Sequence, residues 1–446
     1  MIRRTILLLF GLFWIQLGIS QDSTSAFSLN EAVEYALANS RIAKNANRDI
    51  LIAENQKWQT TAKGLPQINA SVAYNKWVEQ QVSLLPGEFT GGTPGTFAPV
   101  AFGTEQTMDA KATLSQLIFD GSFVVGLQSA KVFLQISKDA KLKTDLEIKK
   151  EIIEAYGNVL LAEESTKILE KNISVLNKNL EETREIFKNG LAEEESVEQL
   201  EITLSGLKSN LNYTIRLRDL SYQMLNIVMG KDAYAKTVLT DDLETLTKKS
   251  FDQELLNQET NISNNMDYRI AQSNLSSKEM LLKLEKSKYL PSINAFVNGG
   301  YNTGGNSFTF ANSDHNWYGY SMLGLNMSIP IFSSFDKKAA TQIAAINFEK
   351  AKDDLTETEQ KLKFQMESAK SDYQLSIEEY LNKKKNLALS ESIEKKNQTK
   401  FKEGVSSSFD LRQAQMQLYS AQQEYLQAMQ MVINKKTNLE TLINKG

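Results

Sequence analysis

The sequence predicts a mainly α chain with added β-strands, built as a duplicated unit. Two motifs recur in the same order. Gly64-Leu65-Pro66-Gln67-Ile68-Asn69-Ala70-Ser71-Val72 returns as Tyr289-Leu290-Pro291-Ser292-Ile293-Asn294-Ala295-Phe296-Val297, and Phe187-Lys188-Asn189-Gly190-Leu191 returns as Phe401-Lys402-Glu403-Gly404-Val405. Four segments alternate apolar and polar residues with period two, and long proline-free stretches carry a helical period. A repeat of roughly half the chain indicates a duplicated structural unit rather than a short-period solenoid.

The first residues set the compartment. Arg3 and Arg4 precede an apolar run from Ile6 to Ile19, about 14 residues and too short to span a bilayer comfortably. Gly18-Ile19-Ser20 supplies small residues at the cleavage position, so residues 1–20 read as a signal peptide and the mature chain starts at Gln21. No later stretch offers about 18 consecutive apolar residues, so no transmembrane helix is expected.

Composition narrows the chemistry. The formal charge is −4. Removing Arg3 and Arg4 leaves 48 basic against 54 acidic residues, a charge of −6 that argues against a nucleic-acid partner. There is no cysteine, which removes disulfides, thiolate zinc sites, thiol catalysis and the acceptor for an N-terminal lipid. His315 is the only histidine, so Ser-His-Asp and multi-histidine metal chemistry are absent as well. It reads as a polar loop residue. No catalytic residue, cofactor or metal site is expected. Gly230-Lys231 lacks the surrounding residues of a phosphate-binding loop.

The elements follow in order. A helix over about 28–63 leads into Pro66, and one over about 252–288 leads into Pro291. From Ile68 the chain alternates Ile68, Ala70, Val72, Tyr74 against Gln67, Asn69, Ser71, Asn75. The same alternation sets Met108, Ala110, Ala112, Leu114 against Thr107, Asp109, Lys111, Thr113. In the second half Ile293, Ala295, Val297, Tyr301 oppose Ser292, Asn294, Asn298, Asn302, and Leu323, Leu325, Met327, Ile329 oppose Gly324, Asn326, Ser328. These segments, about 67–82, 106–118, 292–303 and 317–330, suit strands with lipid on one face and water on the other. Tyr74, Trp77, Tyr301, Trp317, Tyr318 and Tyr320 sit toward their loop ends, as interface aromatics do. Between the first pair, 83–105 is dense in proline and glycine and reads as an exposed loop. Four strands cannot close a barrel, and an open edge cannot sit in lipid. Either the strands form a half-buried soluble sheet, or several chains share one barrel. Three chains would supply twelve strands.

Helices over about 121–188 and 335–402 follow the strand pairs. At about 1.5 Å per residue each would reach roughly 100 Å. Each meets a Phe-Lys-x-Gly motif and returns as a helix over about 192–229 or 406–443, with Gly190 and Gly404 suited to the left-handed reversal. Leu411, Ala414, Leu418, Ala421, Tyr425, Ala428 and Val432 keep a coiled-coil spacing, as do Leu169, Ile173, Leu176, Leu180, Thr183 and Phe187.

Strand pairs followed by long helical hairpins, all duplicated, resemble the TolC-type outer-membrane efflux proteins over essentially the whole mature chain. The resemblance rests on the Leu-Pro-x-Ile repeats, on Phe-Lys-x-Gly-(Leu/Val), and on Gly404-Val405-Ser406-Ser407-Ser408-Phe409-Asp410-Leu411-Arg412-Gln413-Ala414-Gln415. Ile118-Phe119-Asp120-Gly121 and Ile331-Phe332-Ser333 resemble the family's strand-to-helix junctions.

The resemblance implies a homotrimer in outer-membrane lipid, whose four strands per chain complete a 12-stranded barrel above a periplasmic α-barrel. On this reading 21–250 is the first repeat, with an equatorial segment at about 230–251, and 251–446 is the second. The implied function is the exit channel of a tripartite efflux or type I secretion system, passively conducting cargo. The implied partners are a periplasmic adaptor (membrane fusion protein) and an inner-membrane RND or ABC pump. The family narrows its periplasmic end with acidic and polar residues. Here Asp410 matches the acidic position, with Gln413 one turn on and Ser406 before it. Ser196 is the first-half equivalent, and Glu193, Glu194 and Glu195 crowd the same tip. Three neighbouring copies of Asp410 would repel and raise their carboxyl pKa values. Gly190, Leu191, Gly404 and Val405 are the implied adaptor contacts. The alternatives are a soluble periplasmic coiled-coil scaffold and a surface-binding receptor that uses the 83–105 loop.

Overall fold

The structure, a computed structural model, describes residues 25–191, 193–257 and 261–444. The expected signal peptide and its cleavage before Gln21 lie outside these residues.

In chain order the elements are β1 (Ser25–Phe27), α1 (Leu29–Asn39), α2 (Arg41–Ala62), β2 (Gln67–Lys76), β3 (Val82–Pro86), β4 (Phe97–Ala101), β5 (Gln106–Asp120) and α3 (Gly121–Lys188). Next come α4 (Glu194–Met229), β6 (Thr237–Leu239), α5 (Leu243–Lys249), α6 (Gln253–Asn257) and α7 (Met266–Ser287). The chain ends with β7 (Ser292–Gly305), β8 (Tyr318–Ser328), α8 (Asp336–Lys402) and α9 (Ser408–Ile443). The helices α3 and α8 contain 68 and 67 residues. Among the described residues no helix is apolar enough to cross a membrane.

Two of the expected helices are broken. The helix expected over 28–63 is α1 and α2, because Ser40 takes an extended ψ of 146° and its Oγ accepts a bond from Ala43 N at 3.1 Å. The helix expected over 252–288 is α6, a short 3-10 turn at Ile262–Asn264 and α7. There Asn265 Oδ1 accepts from Asp267 N and Tyr268 N and restarts the helix. The 83–105 segment is likewise not all loop. β3 and β4 pair antiparallel, with Pro86 opposite Phe97 and Pro99 opposite Leu84. Proline is tolerated because a two-stranded ribbon leaves one side of each strand unpaired.

The chain divides into two compact units. One, residues 51–136 and 272–354, holds the main sheet. Its strands run β2-β5-β7-β8, antiparallel throughout, with β2 and β8 as open edges. The register aligns the alternating faces across all four strands. Ile68 faces Leu114, which faces Val297, which faces Leu323. On the other face Asn69 meets Thr113 and Thr113 meets Asn298. A bulge between Leu117 and Phe119 shifts β5 just before α3, a common device where a strand re-aims its side chains. The apolar face is bare: Ile68 is 75 % exposed and Leu323 is 78 % exposed. At one end, loop 306–317 is tied by His315, whose Nε2 lies 2.7 Å from Thr303 Oγ1 and whose ring meets Phe310 edge-on.

The other unit, described residues to Ile50, 137–271 and 355–444, holds the apolar core. Ile148, Ile152, Tyr156 and Val159 on α3 repeat at helical spacing and are all buried. Leu225 on α4, Leu246 on α5 and Leu426 on α9 meet them in one cluster. Tyr156 Oη donates to Phe27 O at 2.9 Å and reaches Asp241 Oδ2 at 3.2 Å. Tyr373 Oη on α8 donates to Ser250 O and accepts from Asp252 N at 2.9 Å. Two phenols therefore hold both ends of α5. Gly230 ends α4 at φ 83°, and a Cβ there would lie 2.6 Å from Asn39 O.

The seam between α3 and α9 is partly polar. Asn172 Nδ2 donates to Gln422 Oε1 at 2.8 Å, and Lys150 Nζ donates to Asn438 Oδ1 at 2.9 Å. A Cβ on Gly157 would lie 2.4 Å from Gln430 Oε1. Among the described residues Asn179 Nδ2 is buried without a protein partner.

Candidate functional site: the hairpin tips and the sheet faces

The two helical reversals are built alike. Gly190 at φ 73° and Gly404 at φ 71° take the left-handed conformation. Gly190 N bonds Phe187 O at 2.8 Å and Leu191 N bonds Ile186 O at 3.0 Å. Gly404 N bonds Phe401 O at 3.1 Å and Val405 N bonds Lys400 O at 3.0 Å. Both are Schellman closures, which satisfy the last carbonyls of a helix and favour glycine for its positive φ. The residue that follows each glycine is thrown outward, leaving Leu191 80 % and Val405 70 % exposed.

The helices that restart after the turns differ. α9 opens on a capping box, with Ser407 Oγ accepting from Asp410 N at 3.2 Å and Asp410 Oδ2 accepting from Ser407 N at 3.2 Å. Asp410 Oδ2 also accepts from Ser407 Oγ at 2.7 Å and Ser406 Oγ at 3.2 Å. These bonds, from Ser407 first, with the Lys400 ammonium adding to them, hold the Asp410 carboxyl below the usual aspartate range. Within one chain the Asp410 pKa therefore moves down, opposite to the shift expected for a ring of three. α4 starts from Glu193, whose side chain caps nothing, with Glu194 and Glu195 in its first turn. These acids favour the positive end of the helix dipole.

The tips touch each other. Ser196 Oγ and Ser408 Oγ lie 2.8 Å apart. Around this contact a cleft of about 680 Å³ is lined by Leu191, Glu193, Glu195, Phe401, Gly404 and Ser406, among others. The structure thus brings together expected residues from both tips. Asp410, Gln413, Glu194, Gly190 and Val405 stand outside the cleft lining, and Asp410 and Gln413 are exposed. Among the described residues no group of histidine, aspartate and glutamate side chains converges as metal ligands would.

Residues 259–445 match the family described as outer membrane efflux protein. Over 93 % or more of the chain the fold is that of solved outer-membrane channels. It superposes on VceC from Vibrio cholerae with a TM-score of 0.71, at 14 % identity over 93 % of this chain and 95 % of that one. The Campylobacter jejuni CmeC outer membrane channel gives a TM-score of 0.74 at 16 % identity, over 94 % of this chain and 86 % of that one. CusC, described for its folding and transmembrane channel formation, gives 0.74 at 16 % identity over 93 % and 91 %. No curated protein matches the chain.

Within the matched residues, Ser407 and Ser408 were not singled out from the sequence. The signal for Ser407 is plain: Ser407-Ser408-Phe409-Asp410 is a Ser-x-x-Asp box before an apolar helix face. The Ser196–Ser408 contact had no local signal, because it joins residues 212 apart. One turn into α9, Arg412 lies over the Phe409 ring at 5.4 Å. Deeper in, the Glu394 carboxyl is pushed up, chiefly by burial. The Tyr419 hydroxyl is pushed up to about 12 by burial and by Glu394.

Proposed function

We propose that three copies of this chain close one barrel and form the outer-membrane exit channel of an efflux or type I secretion system. The observation that carries this reading is the four-stranded sheet. It has two open edges, one continuous apolar face that is bare in the single chain, and one polar face in matching register. An open sheet edge cannot be satisfied in hydrocarbon, so β2 and β8 need partners. Pairing β2 of one copy with β8 of the next around three copies closes twelve strands, within the even-numbered range of such barrels. The apolar face then meets lipid and the polar face lines a water-filled interior.

The helical hairpins form the periplasmic part of the same assembly, and transport through it is passive conduction of cargo delivered by a periplasmic adaptor and an inner-membrane RND or ABC pump. The exposed Leu191 and Val405, set by Gly190 and Gly404, serve as apolar contacts for the adaptor. Asp410, Gln413 and Ser406, with Glu193, Glu194 and Glu195, form the acidic pore entrance and favour cations. Residues 1–20 act as the cleaved export signal, and the mature chain is not lipidated.

The test is the mass of the detergent-solubilised protein by light scattering, together with conductance in planar bilayers. A trimer that conducts is expected. A monomer, or a protein absent from the outer-membrane fraction, would overturn the reading.

A further inference from the structure

We propose that the cleft between α2 and the start of α3 binds an amphiphilic anion, a molecule with an apolar body and a single anionic group. The cleft encloses about 470 Å³, within the range of small-molecule sites. It lies wholly within the sheet-bearing unit. Its apolar wall includes Ala53, Leu117, Phe123 and Phe133. The Phe123 ring is seated against bare backbone, since a Cβ on Gly64 would lie 2.2 Å from its Cζ. The wall is therefore preformed, a condition that lowers the ordering cost of binding.

The charged lining selects the sign of the ligand. Lys57, Lys63 and Asp120 are its only titratable groups. Asp120 is already committed: its Oδ1 accepts from Ser122 N at 2.6 Å and Phe123 N at 3.0 Å, capping α3. Lys57 and Lys63 make no ion pair among the described residues. Two ammonium groups beside aromatic and aliphatic walls complement one anionic head on an apolar body.

Two sources could supply such a molecule. Leu117 stands opposite Asn294 on the polar face of the sheet. On the channel reading that face meets water, so a solute in the tunnel could reach the cleft. An acidic lipid from the surrounding bilayer offers the same chemistry.

The experiment titrates the full-length protein, in phosphatidylcholine nanodiscs, with 2-naphthalenesulfonate and with neutral 2-naphthalenemethanol, read by calorimetry. Saturable binding at one site per chain is expected, tighter for the sulfonate. Lys57→Gln with Lys63→Gln should weaken the sulfonate about tenfold and leave the alcohol unchanged. Gly126→Leu, placed where a Cβ would meet only Thr60 at 3.6 Å, should fill the cleft and weaken both. Light scattering on each variant confirms that the assembly is intact. Displacement of the sulfonate when phosphatidylglycerol replaces phosphatidylcholine assigns the site to lipid, and its retention assigns the site to solutes. The absence of saturable binding, equal affinity for sulfonate and alcohol, or an unchanged double variant overturns the proposal. Conductance would persist in each of these cases, which separates this failure from failure of the channel reading.

Discussion

The helical unit and the sheet unit solve opposite problems. The helical unit buries its apolar residues within one chain: Ile152, Tyr156, Leu225 and Val432 are all fully buried. The sheet unit buries almost none of its apolar strand face, and every residue of β2 is exposed. A soluble fold gains by covering such a face. A strand pair built for lipid gains nothing by doing so. One chain thus completes its helical core but leaves its sheet with two open edges and a bare apolar face.

Substitutions in the two units should separate them. The largest effect is expected in the helical core. Ile152→Ala should cost about 2–5 kcal/mol, because it opens a cavity among tightly packed side chains. Denaturant unfolding followed by helical circular dichroism measures it. A cost near zero would mean that the core is incomplete in the single chain.

The sheet should respond by face instead. Val72→Arg on the apolar face should cost roughly 2–4 kcal/mol in bilayers, whereas Asn69→Arg on the opposite face should still assemble while altering conductance. Folding yield into lipid vesicles reads the first, and single-channel recording reads the second. Equal damage on both faces would favour a soluble sheet and remove the contrast.

A smaller effect is expected at the tips. Nothing lies within 4 Å of a Cβ placed on Gly190 or Gly404. Replacing either by Val should therefore cost only the left-handed backbone, about 1–2 kcal/mol. Asn at the same positions should cost less, since it tolerates this conformation. Unfolding of the single variants measures the cost.

The smallest effects concern two carboxyls whose pKa values move in opposite directions. Asp410 is lowered in the folded chain. Its contribution is present above the ordinary aspartate pKa and is lost as pH falls through the lowered value. Glu394 is raised, so its protonated form suits the fold. Its contribution is full below the ordinary glutamate pKa and is lost as pH rises through the raised value. Amide hydrogen exchange at the start of α9 against pH should show the first dependence in wild type and its loss in Asp410→Asn. Glu394→Gln should remove the second. In the assembled channel Asp410→Asn should also weaken cation preference. Unchanged selectivity would leave Asp410 as a helix cap alone.

Much of this was legible in the residues. The period-two runs located the four long strands, and the register in the structure joins the apolar faces the alternation marked. The long helices ran as expected because they contain no proline and end at glycines that take positive φ. The breaks at Ser40 and Asn265 were less visible. Each depends on a polar side chain choosing the backbone over solvent. The β3–β4 ribbon hid behind its prolines, which propensity assigns to loops.

The residues alone established the two longest helices, the four main strands and their period, since these follow from local backbone preference and from which side chains avoid water. Which elements meet is set by long-range packing. It set Ser196 against Ser408, Tyr156 against Phe27 and Asp241, and Asn172 against Gln422, contacts separated by 85 to 250 residues. Such pairings depend on how packed helices are placed relative to one another, and no local pattern along the chain records that placement.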